Sequence, residues 1–165
     1  FASPQFQGRS RAGIFGDAVE ELDASVGQVL DALRREQVAQ RTLVFFTSDN
    51  GPWLTQGDQG GSAGLLRDGK GSTWEGGMRV PMIVRWPARI RPGQVSDFPW
   101  AFWDFLPTAA EIAMTTPPKD LDGISIFPLL TGGAQTNRHD YFYWEFHERG
   151  FQQALRRGEW KVLRS

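Results

Sequence analysis

Two oxygen-bearing side chains stand where they could bind a metal ion. Asp49 and Asn50 directly follow a run of apolar and β-branched residues, Thr42–Ser48. A carboxylate and an amide carbonyl are hard oxygen ligands of the kind that Ca²⁺ takes, at roughly 2.3–2.6 Å. Because a calcium shell needs about six to eight oxygens, further ligands must come from elsewhere. Asn50-Gly51 is also typical of a tight turn, so the pair alone leaves both interpretations open.

An ammonium group could act on an anion in the segment that follows. Lys70 lies between Gly69 and Gly71, inside a long glycine-rich segment that runs from Gly51 to Gly77. Flanking glycines let the backbone approach a ligand closely, and an ammonium suits a tetrahedral oxyanion. A loop of this length inside a compact domain is usually functional or disordered. Lys70 is therefore a candidate anion-binding residue.

A third candidate, His147, lies in an aromatic and acidic segment, Tyr143–Glu148. Ligand pockets combine aromatic walls with a few polar groups, so this segment could line a substrate pocket. It is equally compatible with an edge strand that carries a surface histidine. The sequence leaves both roles open.

The composition narrows the classes of function. A formal net charge of -1 over 165 residues gives no bulk electrostatic field that would draw the chain to nucleic acid or to an anionic membrane. No stretch approaches about 18 apolar residues, so we expect no membrane-spanning helix here. The absence of cysteine excludes disulfides, thiolate metal sites and a cysteine nucleophile within these residues. Seven Trp and twelve Phe can fill a core or line pockets for sugars and aryl groups.

Hydrophobic periodicity predicts the elements that position these residues. Apolar residues at spacings of three and four predict an amphipathic helix over about residues 16–36. The continuous apolar run at 42–48 predicts a strand buried on both faces, and residues 81–86 predict a weaker one. Helix, buried strand, long loop and strand, in this order, indicate an α/β fold with a mainly parallel sheet. Asp104 is predicted to cap a second helix.

A change in the sequence pattern near residue 136 predicts a second, smaller structural unit. Short aromatic segments from there onward predict the strands of a small antiparallel sheet. We therefore divide the chain into residues 1–135, which form part of the main α/β domain, and 136–165, which begin a small C-terminal subdomain. Two strands and two helices cannot cover a parallel sheet on both faces, so we expect the chain to be part of a longer fold.

The order of these motifs resembles the second half of a type I, formylglycine-dependent sulfatase of the arylsulfatase A-like group. The resemblance implies a C-terminal fragment of an alkaline-phosphatase-like sandwich with a mainly parallel central sheet. It covers nearly the whole chain and is carried by Gly16–Gly27, Thr42–Gly51, Gly69–Pro81, Trp103–Thr108, Asp122–Ser125 and Gln153–Lys161.

The resemblance also implies roles for the candidate residues in hydrolysis of a sulfate ester. Asp49 and Asn50 would be two of the four protein ligands of an active-site calcium ion, with Mg²⁺ as the alternative cation. Lys70 would be catalytic and contact the sulfate and the oxygen of its leaving group. A substrate contact by His147 rests on its aromatic and acidic segment and not on the resemblance. The family's nucleophile is a formylglycine made in a C/S-x-P/A-x-R motif, which this sequence lacks. We therefore expect the nucleophile upstream and no activity from this chain alone.

Substrate and location follow only from the same resemblance. It implies a small-molecule or carbohydrate sulfate ester and an exported protein, periplasmic or extracellular. A phosphodiesterase or phosphonate monoester hydrolase of the same superfamily is an alternative, as is a non-catalytic truncated product. The Gly-Lys-Gly-x-x-Trp-Glu-Gly-Gly block from Gly69 to Gly77 favours the sulfatase.

Overall fold

The fold begins with a long helix and ends with a small sheet. In the computed structural model, which describes residues 2–148 and 150–164, short 3-10 turns lie at Ala39–Arg41, Leu54–Gln59 and Phe102–Asp104. The helices are α1 (Gly13–Arg35), α2 (Glu75–Met78), α3 (Phe105–Ile112) and α4 (Phe127–Leu130). The strands are β1 (Val44–Thr47), β2 (Met82–Arg85), β3 (Phe142–Phe146), β4 (Gln152–Arg157) and β5 (Trp160–Arg164).

Helix α1 confirms the predicted amphipathic helix, although it begins earlier than the apolar periodicity indicates, at Gly13. Asp17, one turn into the helix, is buried. Its carboxylate accepts hydrogen bonds from the backbone N–H groups of Gly8, Arg9 and Ser10 at 2.7, 3.0 and 2.8 Å. The preceding segment therefore folds back over the start of α1. No helix in the described part of the chain is long and apolar enough to cross a bilayer.

Strands β1 and β2 pair antiparallel, with Val44 opposite Arg85 and Thr47 opposite Met82. The α/β class is as predicted, but this pair does not run in the parallel direction predicted for the main sheet. The reason is that the connecting segment closes on itself, since the Thr47 hydroxyl donates to the Pro81 carbonyl at 2.9 Å. Strand β2 therefore starts beside the end of β1, and the described connection between them, residues 48–81, provides no crossover helix of the kind that joins parallel strands.

The predicted burial of β1 on both faces is not found within the described residues. Phe46 is 38% exposed, and Ile83, its register partner on β2, is 64% exposed. On β1 the side chain of Phe45 is half-buried and packs edge-to-face on Phe105 of α3, with ring centroids 5.3 Å apart. One face of the two-stranded sheet is thus packed on α3 and the other is open.

Asp104 stands at the start of α3, as predicted, but it does not cap the first turn of that helix. Its carboxylate instead accepts a hydrogen bond from the backbone N–H of Ala101, the residue before the Phe102–Asp104 turn, at 2.8 Å. The Thr108 hydroxyl donates to the Asp104 carbonyl at 2.6 Å and accepts from the backbone N–H of Ile126 at 3.0 Å. Asp104, Thr108 and Ile126 are all buried, so this polar network forms the centre of the core around α3 and α4.

Strands β3, β4 and β5 form a three-stranded antiparallel sheet in that order, which confirms the predicted small C-terminal sheet. Trp144 lies opposite Ala154, and Ala154 lies opposite Leu163. Phe142 and Trp144 are two residues apart on β3 and therefore point to the same face, and Ala154 lies opposite Trp144. The buried residues Phe142 and Ala154 thus lie on one face of this sheet. The domain boundary near residue 135 stays a prediction.

Candidate active site

The predicted cation ligands lie where the chain bends after β1. The side chain of Asp49 is exposed and that of Asn50 is half-buried. The Ser48 hydroxyl donates to the Asn50 carbonyl at 2.9 Å, which fixes the main chain of the bend. Two consecutive residues just after a strand thus carry a carboxylate and an amide, a donor set of the kind that a hard cation takes.

Main-chain hydrogen bonds join this bend to the glycine-rich segment. The backbone N–H of Lys70 donates to the Pro52 carbonyl at 2.8 Å, and that of Gly51 donates to the Gly77 carbonyl at 3.1 Å. The structure therefore brings the two predicted segments together at the level of the backbone. The Lys70 side chain is exposed, with its Nζ 5.6 Å from the centre of the Trp53 ring. Convergence of the Lys70 ammonium with the oxygens of the bend stays a prediction.

Two glycines allow these segments to pack backbone against backbone. A Cβ on Gly51 would lie 1.7 Å from the Gly76 carbonyl oxygen, and one on Gly76 would lie 2.0 Å from the Asp68 carbonyl oxygen. Both distances are far shorter than atoms tolerate, so neither position accepts a side chain without movement of the main chain. The sequence argument for close approach of the backbone to a ligand concerned Gly69 and Gly71, which flank Lys70, and assigned no role to Gly51 and Gly76. The structure shows that these two serve close packing within the loop.

Glu75, the first residue of α2, was not among the candidate residues predicted from the sequence, although it lies in the Gly69–Gly77 block. Its carboxylate accepts a hydrogen bond from Lys161 Nζ at 2.8 Å and lies 3.4 Å from a guanidinium nitrogen of Arg156. Both partners belong to the C-terminal sheet, so Glu75 ties the glycine-rich segment to strands far along the chain. No spacing rule links residues so distant in sequence, and only the fold reveals the contact.

His147 follows β3 at the turn that leads to β4. Its side chain is 73% exposed, and its Nε2 lies 3.8 Å from a carboxylate oxygen of Glu145. Its ring packs against that of Phe151, with centroids 5.1 Å apart. This placement is that of a surface histidine at a strand end. A contact with substrate stays a prediction.

The described residues do not by themselves form a complete metal site. Within residues 2–148 and 150–164, no group of three or more His, Asp or Glu side chains is placed to hold a metal ion. Asp49 and Asn50 can therefore contribute only part of a cation's ligand shell.

A cleft of about 1200 Å³ lies beside the glycine-rich segment but does not contain the candidate residues. It opens between β2, the segment that follows it and the C-terminal sheet. Its walls include Arg79, Arg85, Trp86, Trp100, Trp144 and Arg156, and none of the four predicted site residues lines it. The candidate chemistry lies outside this cleft.

Comparison with known proteins gives the family. The sulfatase family profile matches residues 3–115, and the chain belongs to this family. The resemblance predicted from the order of the motifs is thereby confirmed.

Relatives that are named sulfatases, and so are hydrolases, align with most of the chain. It is 46% identical over 150 residues to steryl-sulfatase of Mus musculus, covering 87% of this chain and 24% of the relative. It is 41% identical over 166 residues to arylsulfatase A of Bos taurus, covering 98% and 32%. It is 42% identical over 146 residues to N-acetylgalactosamine-6-sulfatase of Homo sapiens, covering 87% and 28%. The chain thus spans about a quarter to a third of the length of these relatives.

Solved structures share the fold. The PsFucS1 sulfatase from Pseudoalteromonas sp. superposes with a TM-score of 0.83 at 32% identity, over 97% of this chain and 32% of that chain. The phosphonate monoester hydrolase SpPMH from Silicibacter pomeroyi gives a TM-score of 0.69 at 23% identity, over 87% and 30%. At that identity the second likeness concerns the fold alone. The sulfatase-like α/β fold class predicted from the sequence is confirmed.

Proposed function

We propose that this chain supplies two parts of a sulfatase active site, in an enzyme that hydrolyses a sulfate monoester. Asp49 and Asn50 form a cation-binding pair, and Lys70 is the ammonium that binds the sulfate and its leaving-group oxygen. The observation that carries the proposal is a pair of main-chain hydrogen bonds, one between Gly51 and Gly77 and one between Lys70 and Pro52. These bonds join the backbone next to Asp49 and Asn50 to the backbone of Lys70, in a chain of the sulfatase family.

The net reaction fixes where charge must be stabilised. The bond between sulfur and the ester oxygen breaks, water supplies a hydroxyl to sulfur and a proton to the alcohol, and sulfate leaves. Negative charge grows on the ester oxygen as this bond breaks. The Lys70 ammonium stabilises that charge best when its position is set before the reaction, and the hydrogen bond from its backbone N–H to Pro52 at 2.8 Å contributes to that order.

Asp49 and Asn50 would hold a calcium ion together with ligands from outside these residues. When bound, the ion adds positive charge beside the sulfate oxygens. Asp49 supplies a full negative charge to the ion and Asn50 a neutral carbonyl, so Asp49 contributes more of the binding. The formylglycine nucleophile that the family resemblance implies would likewise come from outside these 165 residues.

A small-molecule or carbohydrate sulfate ester is the proposed substrate class. The relatives' names include a sterol, an aryl and an N-acetylgalactosamine sulfatase. These alcohols differ in shape but share the sulfate monoester, which is the group that Lys70 and the cation pair would contact. The exposed aromatic rings of the C-terminal segment, Tyr141, Tyr143 and Trp160, are compatible with a sugar or aryl group. The family resemblance supports an exported enzyme.

A phosphonate monoester hydrolase is the second candidate, since one such enzyme shares the fold. The Gly69–Gly77 block and the sulfatases that are more than 40% identical favour the sulfatase. Parallel assays of the complete enzyme with an aryl sulfate and an aryl phosphonate separate the two. A higher kcat/KM for the phosphonate would reverse the assignment.

The decisive experiment replaces Lys70 in the complete enzyme that contains these residues. Lys70→Ala is expected to lower kcat for an aryl sulfate by about 10²–10³-fold, the scale for loss of one preorganised donor. Lys119→Ala, which removes an exposed lysine from a loop elsewhere, is the matched control and leaves kcat unchanged. Equal turnover in the two variants would refute the role of Lys70.

A further inference from the structure

The contact of Glu75 with the C-terminal sheet is shielded from solvent. Its carboxylate is bonded to Lys161 on β5 and approached by Arg156 on β4. The side chains of Glu75, Lys161 and Arg156 are only 24%, 11% and 26% exposed. Pairs that are largely out of water are screened by salt much less than exposed pairs. This cluster therefore holds two strands and α2 in a defined arrangement.

The third strand of the sheet also takes part. The Lys161 ammonium lies 4.8 Å from the centre of the Trp144 ring on β3, within the range of a cation–π interaction. A side-chain oxygen of Gln152 on β4 accepts a hydrogen bond from the backbone N–H of Thr73 at 3.3 Å. The C-terminal sheet thus contacts the Lys161 ammonium through Trp144 and binds the glycine-rich segment at Thr73 and at Glu75.

Close backbone contacts of Gly77 connect Glu75 to the residues around Lys70. Gly77, in the same helix as Glu75, packs on the residue before Lys70, since a Cβ on Gly77 would lie 2.6 Å from the Gly69 carbonyl oxygen. The Gly77 carbonyl also accepts the hydrogen bond from Gly51, beside the predicted cation ligands. A shift of α2 would therefore move the main chain on both sides of the candidate site.

We propose that Glu75 is a positioning residue, through which the C-terminal sheet sets the place of the Lys70 ammonium. The inference rests on the proposed function of Lys70. Glu75 is not expected to touch substrate, because its carboxylate is engaged by Lys161 and Arg156. Its effect on the reaction should pass through Lys70.

The test combines two substitutions in the complete enzyme. Glu75→Gln keeps the size of the side chain and removes its charge, and it is expected to lower kcat for an aryl sulfate by about 10–10²-fold, since small displacements of a catalytic group have effects of this size. KM should change little. In a Lys70→Ala background the same substitution should lower kcat by less than about twofold, because no ammonium is left to misplace. Glu111→Gln, an exposed glutamate on α3, is the matched control.

The outcomes separate positioning from a structural role. An equal fall of kcat with Glu75→Gln in both backgrounds, or no fall in either, overturns the inference and leaves the proposed function of Lys70 standing. If Lys70→Ala alone leaves turnover unchanged, both fail. Should Glu75→Gln not fold, Lys161→Met removes the same ion pair from the other side. It must show the same dependence on Lys70 for the inference to hold.

Discussion

The Nε2 atom of His139 lies 2.8 Å from Oδ1 of Asp104, whose side chain has no exposed surface. The same carboxylate accepts hydrogen bonds from the backbone N–H groups of Ala101 and Ile124 at 2.8 and 2.9 Å. A buried carboxylate is tolerated only with such partners. Asp104 therefore joins the turn before α3, the segment before α4 and the chain that enters β3.

Loss of the Asp104 carboxylate should destabilise the protein strongly. Each buried donor that is left without an acceptor costs about 1–3 kcal/mol. We therefore expect Asp104→Ala to lower the free energy of unfolding of the complete enzyme by about 3 kcal/mol or more, measured by urea denaturation. Asp140→Ala, an exposed neighbour of His139, should stay within about 0.5 kcal/mol of the parent. If the two variants lose a similar free energy of unfolding, the stabilisation assigned to the buried network of Asp104 is contradicted.

Gly76 should be far less tolerant of a methyl group than Gly27. A Cβ on Gly76 would lie 2.0 Å from the Asp68 carbonyl oxygen, whereas one on Gly27 in α1 meets nothing within 4 Å. Gly76→Ala is expected to destabilise by about 1–3 kcal/mol, as for overpacking in a well-packed site, and to lower kcat because α2 must shift. Gly27→Ala should instead stabilise α1 by about 0.5–1 kcal/mol. Thermal denaturation and aryl sulfate assays measure both, and equal effects would contradict the packing argument.

The local elements of this fold could be predicted from the sequence. Helix α1 and strands β1 and β2 have apolar patterns of their own, so their periods are visible within short windows. Asp49, Asn50 and Lys70 could be selected because their chemistry and their order match a family. The end of the apolar run at Ser48 was enough to predict that Asp49 directly follows a strand.

The remaining features depend on contacts between distant residues. The antiparallel pairing of β1 and β2 follows from how the glycine-rich segment closes, which no pattern within either strand encodes. Glu75 and Lys161 are far apart in sequence, and neither stands in a recognisable ligand motif. The inward direction of the Asp104 carboxylate likewise depends on Ile124 and His139. Tertiary contacts decide these features, and local propensity does not.

The stability of the α1 start should depend on pH through Asp17. The backbone N–H groups of Ser10, Gly8 and Arg9 hydrogen-bond to this carboxylate and lower its pKa below the ordinary value of 3.8. Because the pKa is depressed in the folded state, the stabilisation is present above the unfolded value and is lost as pH falls through the folded value. Asp17→Asn should therefore lower the melting temperature at pH 7.

The control for this prediction is the pH profile itself, together with a second aspartate. The difference in melting temperature between the parent and Asp17→Asn should shrink as pH falls below 3.8, because the unfolded parent chain then takes up a proton at Asp17 that the folded carboxylate, with its lower pKa, does not yet bind. Asp23→Asn, on an exposed position of α1, should leave the melting temperature unchanged. A difference for Asp17→Asn that stays constant from pH 7 to the acid limit would contradict the proposed cause.

Asp49 and Asn50 should determine cation affinity in the complete enzyme. After removal of metal with a chelator, calcium titration by calorimetry is expected to show a Kd raised at least about 10–100-fold by Asp49→Ala, since even outer-shell partners of a metal have effects of this size. Asn50→Ala should have a smaller effect, because it removes a neutral ligand and not a charge. Magnesium titration of the parent tests which cation the site prefers.

The matched control for these ligands lies in the glycine-rich segment that directly follows them. Asp58 is an exposed aspartate in the Leu54–Gln59 turn, and Asp58→Ala removes the same charge from the loop without touching the bend after β1. A general electrostatic attraction of calcium to the loop would make Asp58→Ala and Asp49→Ala equivalent. Direct ligation instead requires that only Asp49→Ala, and to a smaller degree Asn50→Ala, raise the Kd. If neither changes calcium affinity, the bend after β1 is a turn that binds no cation.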